Sequence, residues 1–83
     1  MRPEDLLFWL RKQPFQSFRI TMNNRRVYEV RHPELVRVMR TSFLYFTPSD
    51  QEDVFDRAEM VGLTLIDHIE PVEAPARPSQ GTN

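Results

Sequence analysis

The sequence predicts a mainly β domain, with one N-terminal helix leading into a small, strongly bent five-stranded antiparallel sheet that closes toward a barrel. Three observations predict it. Apolar residues alternate with polar ones at a period of two over several short runs, each bounded by turn-forming residues. Helical spacing is confined to the first dozen positions. The chain of 83 residues is long enough for one core and no more.

The helix is expected over Pro3–Lys12. Pro3 suits a first turn, where its missing N–H has no helical partner to lose. Glu4 and Asp5 stand where the helix dipole favours negative charge, and Arg11 and Lys12 stand at the other end. Arg2 is a poor N-cap. Leu6, Trp9 and Leu10 share one face, with Leu7 beside it. A helix of about ten residues is marginal alone in water, so this stripe must dock. Pro14 ends it.

Gln16–Met22 reads as the first strand, with Phe18, Ile20 and Met22 on one face and Ser17, Arg19 and Thr21 on the other. Asn23-Asn24 is a turn signal, because asparagine tolerates left-handed backbone. Val27–Arg31 returns as the second strand of a hairpin, with Tyr28 and Val30 facing inward. Pro33 cannot donate to a ladder, which makes His32-Pro33-Glu34 a bend. Leu35–Met39 is the third strand, Arg40-Thr41-Ser42 a reversal, and Phe43–Thr47 an aromatic-rich fourth strand. Pro48–Asp56 reads as an acidic loop. Arg57–Leu65 enters the fifth strand, which Ile66–Val72 continues through a bend. The barrel domain thus spans residues 1–72. Residues 73–83, with Pro75, Pro78 and Gly81, are expected to form a disordered tail.

Composition narrows the chemistry. The apolar fraction is 40% and the charged fraction 28%, as in an ordinary soluble domain. No run without charge exceeds Thr41–Ser49, far short of a membrane span, and no secretory cleavage pattern follows the N-terminus. A cytoplasmic protein with no membrane partner is the expectation. The absence of cysteine excludes disulfides and cysteine-ligated metal centres. The two glycines, Gly62 and Gly81, cannot make a phosphate-cradling loop. His68 and Glu70 share a strand face, but two ligands are half of a zinc site, and no metal or other cofactor is expected. Ser17, Ser42, Ser49 and Ser79 sit in no nucleophile motif, and the carboxylates Asp50, Glu52, Asp53 and Asp56 lie in a loop that reads as solvated. The chain is therefore expected not to be an enzyme.

Two binding readings remain. Residues 1–40 carry nine basic and four acidic side chains, and residues 41–83 carry two and eight, although the net charge is −1. Such a split suits mutual neutralisation across the sheet, or a basic face and an acidic face that associate. Arg19, Arg25, Arg26, Arg31 and Arg37 are candidate contacts for RNA or single-stranded DNA, with Phe15, Tyr28, Phe43, Tyr45 and Phe46 as candidate stacking surfaces. The other reading is a protein–protein or self-assembly module. About seventy ordered residues give a net stability near zero on an area-against-entropy estimate, and pairing of open strand edges would supplement it. Trp9, Tyr45 and Phe55 are its candidate interface residues.

The runs QPFQSFRI, RRVYEVRHPELV and VGLTLIDHIEPVE resemble a group of short bacterial proteins that share QPF-x-x-F-x-I, a Gly-Arg hairpin, V-x-HPE and a closing I-x-x-IE segment. The resemblance covers residues 3–72 and implies no particular activity. Arg25 departs from it by standing where glycine is usual, which leaves the turn strained or carried by Asn24. The element order also resembles the Sm-like fold, which includes the Hfq family of RNA chaperones. There a helix precedes a bent five-stranded sheet, and subunits join through strand edges into rings. Phe18–Met22 then matches the first strand with its turn, and Thr64–Pro71 the last. This chain has Leu63-Thr64 where that family has an RNA-contacting Lys-His pair. The resemblance implies an Sm/SH3-like barrel and a homo-oligomer, with little support for RNA binding.

Overall fold

The computed structural model describes residues 1–72; the expected tail at 73–83 lies outside the described residues. Among the described residues the chain is mainly β with one N-terminal helix, but the strands number six and form two three-stranded antiparallel sheets, not one five-stranded barrel. The first sheet has the order β2-β1-β6, from β1 (Phe18–Met22), β2 (Val27–Val30) and β6 (Ile66–Pro71). The second has the order β3-β4-β5, from β3 (Val36–Val38), β4 (Ser42–Pro48) and β5 (Phe55–Gly62). Two 3-10 turns account for the difference. Pro33–Leu35 separates β2 from β3 at the bend foreseen around Pro33. Leu63–Leu65 falls at the bend expected in the fifth strand but divides it into separate strands, β5 and β6, and carries the chain from one sheet to the other.

Helix α1 (Pro3–Leu10) is shorter than expected, and its start is better specified than Arg2 implied. The Asp5 carboxylate accepts the Arg2 backbone N–H at 3.1 Å, and the Asp5 N–H donates to the Arg2 carbonyl at 3.0 Å. Only Leu6 of the helix is fully buried. Trp9 and Leu10 pack beside it, and the Trp9 ring lies 5.6 Å from that of Phe18.

The β1–β2 hairpin keeps the expected alternation. Ile20 pairs with Tyr28 and Phe18 with Val30, all four buried. Arg25 is the residue that adopts left-handed backbone at the tip, with φ 76°. Asn24 supplies the clasp instead, its side-chain oxygen accepting the Arg26 N–H at 2.9 Å. On the far side of β1, β6 sets Ile69 against Ile20 and Glu70 against Arg19, with Asp67 as an extra residue in a bulge. One core lies between the sheets and under the helix: Leu6, Phe18, Ile20 and Val30 meet Phe43, Val61 and Leu63.

Candidate functional site

The second sheet places its side chains unequally. Phe43 and Tyr45 of β4 face the core, so Leu44 and Phe46 face outward. Register puts Met60 of β5 beside Leu44, and Ala58 beside Phe46. Beyond a bulge at Asp56, Phe55 stacks on Phe46 with ring centroids 5.2 Å apart. The outer face is therefore an apolar strip, with Met60 69% exposed and Phe55 38% exposed. A side chain as large as Met60 left this open on a sheet is informative where a scattered leucine would not be. The sequence marks Phe46 as a candidate stacking ring but does not single out Leu44 or Met60; Phe43–Phe46 is apolar throughout, so alternation cannot say which pair of β4 points out.

The edges of the sheets differ in how they are protected. Strand β3 has three residues and β2 four. The β2 edge is also capped, since the Tyr45 hydroxyl donates to the Glu29 carbonyl at 2.8 Å. Strand β6 is bulged, charged and closed by Pro71. Strand β5 has eight residues without an internal proline, is bulged at Asp56 near its start, and among the described residues pairs only with β4. The direction of its backbone follows from two bonds. The Leu63 N–H donates to the Thr41 carbonyl at 2.9 Å, and the Met39 N–H to the Ser42 carbonyl at 2.8 Å. Antiparallel ladders alternate bonded and non-bonded pairs. Phe43, Tyr45 and Thr47 therefore bond to Val61, Glu59 and Arg57, and the N–H and C=O groups of Ala58 and Met60 point to the open edge.

Glu59 anchors the inner side of this strand. Its Oε2 accepts from the Tyr28 hydroxyl at 2.9 Å and meets Arg26 Nη1 at 3.0 Å, while the Arg26 guanidinium lies over the Tyr28 ring. Burial first, then the hydrogen bond to Glu59 and the negative charge of that group, hold the Tyr28 phenol above its usual value of 10.0. Burial, then the carboxylates of Glu29 and Glu59, raise Tyr45 likewise.

The five candidate arginines do not come together as one face. Arg19 pairs with Glu70 at 3.1 Å and has Glu29 opposite on its other neighbour. Arg31 pairs with Glu29 at 3.2 Å, and Arg26 with Glu59. Arg25 stands at the hairpin tip, and Arg37 lies on the outer face of the second sheet beside Leu44. Of the candidate stacking rings, Tyr28 and Phe43 are buried, and Phe15 and Tyr45 are partly buried against the core. Of the candidate interface residues, Trp9 and Tyr45 pack against the core and Phe55 lies on the outer strip. His68 contacts Asp67 at 2.8 Å and Glu70 at 3.8 Å, but no group of three or more potential metal ligands converges among the described residues. No described helix is long and apolar enough to cross a membrane.

Compared with known proteins, the chain matches no family model, no curated protein and no solved structure.

Proposed function

We propose that this protein is a non-enzymatic assembly module that forms a homo-oligomer through its strand edges. The observation that carries the reading is the open edge of β5, with an apolar strip on its outer side. Unpaired backbone donors and acceptors on a long, open edge are a template for another strand. The thin core gives the pairing an energetic reason, because buried interface area adds to what about seventy residues bury alone. The finer Sm/SH3-like reading belongs with this proposal. It draws support from one core enclosed by two short sheets and from the 3-10 turn that delivers the last strand beside the first. The alternative, an arginine face for RNA or single-stranded DNA, has less support, because Arg19, Arg26 and Arg31 already hold carboxylates.

The test is the absolute mass in solution by light scattering on a sizing column over a hundredfold range of loading, with the 260/280 nm absorbance ratio recorded alongside. A mass that is a multiple of the 9.9 kDa chain, with a protein-like ratio, is the expected result. A mass of one chain at every loading would overturn the assembly reading. A raised ratio that falls with salt would transfer support to the nucleic-acid reading.

A further inference from the structure

We infer that the partner at the β5 edge is the β5 strand of a second copy, joined antiparallel about a two-fold axis through Ala58; this rests on the assembly reading above and specifies it. Among the described residues β5 is the longest edge strand, with its bulge confined to Asp56 near its start and 57–62 regular, and a contact that uses it on both sides is isologous. The other edges are shorter: β3 has three residues, β2 has four and a cap, and β6 has six with a bulge and a closing proline, so they would make poorer partners for it.

Backbone geometry and charge then select the register. The outward-pointing groups belong to Ala58 and Met60, so bonded pairs across the axis must join even-numbered residues. Four registers that pair five or more residues of β5 satisfy this, and the one centred on Met60 pairs only 58–62 and brings no opposite charges together. Of the other three, one sets Arg57 against Arg57 of the second copy, and another sets Glu59 against Glu59; each places like charges opposite one another. The third sets Ala58 against Ala58, and so sets Arg57 of each copy against Glu59 of the other. Those two pairs fall at non-bonded positions, where side chains approach most closely, and opposite charges there are favourable.

The charges are also free to pair in this way. Arg57 is exposed and forms no ion pair among the described residues. Glu59 uses only Oε2 for Tyr28 and Arg26, which leaves Oε1 uncommitted. Ala58 puts a small side chain at the axis, so the outer strips of both copies run into one apolar surface through Phe46 and Met60.

The experiment uses the full chain, whose lack of cysteine makes a single introduced thiol unambiguous. Ala58→Cys is oxidised and run on a non-reducing gel beside Met60→Cys. Bonded antiparallel partners have Cα atoms about 5.5 Å apart, which a disulfide spans. Position 60 meets itself only at more than about 13 Å. A covalent dimer from Ala58→Cys alone, with a native mass of two chains, is the expected result. Arg57→Glu should weaken the dimer about thirtyfold by replacing two attractive pairs with two repulsive ones. Ala58→Pro should give a folded monomer, because the N–H it removes faces outward. If an oligomer forms but Ala58→Cys stays uncrosslinked and Arg57→Glu leaves its affinity unchanged, the β5–β5 contact is refuted and assembly through another edge stands. If the unmodified chain is monomeric at every loading, both are refuted.

Discussion

Replacing Leu6 with alanine tests how the helix is held. Leu6 has no exposed surface, and it is the one fully buried residue of an eight-residue helix that could not persist undocked. Truncating a buried leucine removes its transfer free energy and leaves a cavity, at a cost of about 2–5 kcal/mol. A single core of this size rarely supplies more than about 3–5 kcal/mol. The change therefore takes at least about two fifths of what one core supplies, and as much as all of it. For a domain of this size, a loss near 3 kcal/mol lowers the melting temperature by roughly 12–24 °C. The control is Phe8→Ala, two residues along on the opposite face, where the ring is 63% exposed and touches the Lys12 ammonium at 5.1 Å. An exposed contact of that kind is worth under about 1 kcal/mol. Trp9, packed on Phe18 between them, reports the transition by fluorescence during urea unfolding, with all variants at one concentration because association would add to stability. Equal midpoints for Leu6→Ala and Phe8→Ala would refute the docking described here. A fall in the urea slope for Leu6→Ala alone would mean that the helix leaves while the sheets persist.

Two other expectations follow from local chemistry. Arg25→Gly should raise stability by about 0.5–1 kcal/mol, since glycine removes the left-handed penalty at φ 76° at some cost in chain entropy; a loss in urea unfolding would show that the Arg25 side chain does more than occupy a turn. The two tyrosines should make the protein alkali-sensitive. Their phenols are raised in the folded state, so their stabilising effect is complete below the unfolded value of 10.0 and is lost as pH climbs through the folded values. Urea midpoints should hold steady as pH approaches 10 and then decline, and Tyr28→Phe should flatten part of that decline. A decline of the same size in the variant would remove Tyr28 from the explanation.

Much of the first sheet was legible because its two faces differ in polarity. Phe18, Ile20 and Met22 against Ser17, Arg19 and Thr21 fix a period and a sign, and the hairpin register with Tyr28 and Val30 follows. The second sheet lacked that contrast, since both faces of β4 are apolar. The break at Pro33 was visible as a proline. At Leu63–Leu65 a bend within one strand was expected but not a change of sheet, because Leu-Thr-Leu carries no turn signal and alternates like a strand. What makes it a corner is tertiary: Leu63 is buried, Leu65 is exposed, and the Leu65 carbonyl accepts the Asn23 N–H at 2.8 Å. Whether the arginines converge depended on strand order, which local pattern does not encode. Arg19 could not be known to stand between Glu29 and Glu70 until β6 was seen beside β1.

The uneven charge of the two halves of the chain acquires a physical meaning from the same strand order. Arg19 with Glu70 and Arg26 with Glu59 each join a basic residue of the first half to an acidic residue of the second, so part of the split is neutralised inside one copy. On β5 the neutralisation is incomplete among the described residues, where Arg57 has no carboxylate and Glu59 has an oxygen to spare. Edge strands are commonly guarded by charge, since like charges brought opposite each other repel a second copy. A guard of one sign repels in every register. An Arg-Ala-Glu guard repels in the two registers centred on its charged residues and attracts in the one centred between them, so charges that prevent indiscriminate stacking would also favour the proposed Ala58-centred pairing.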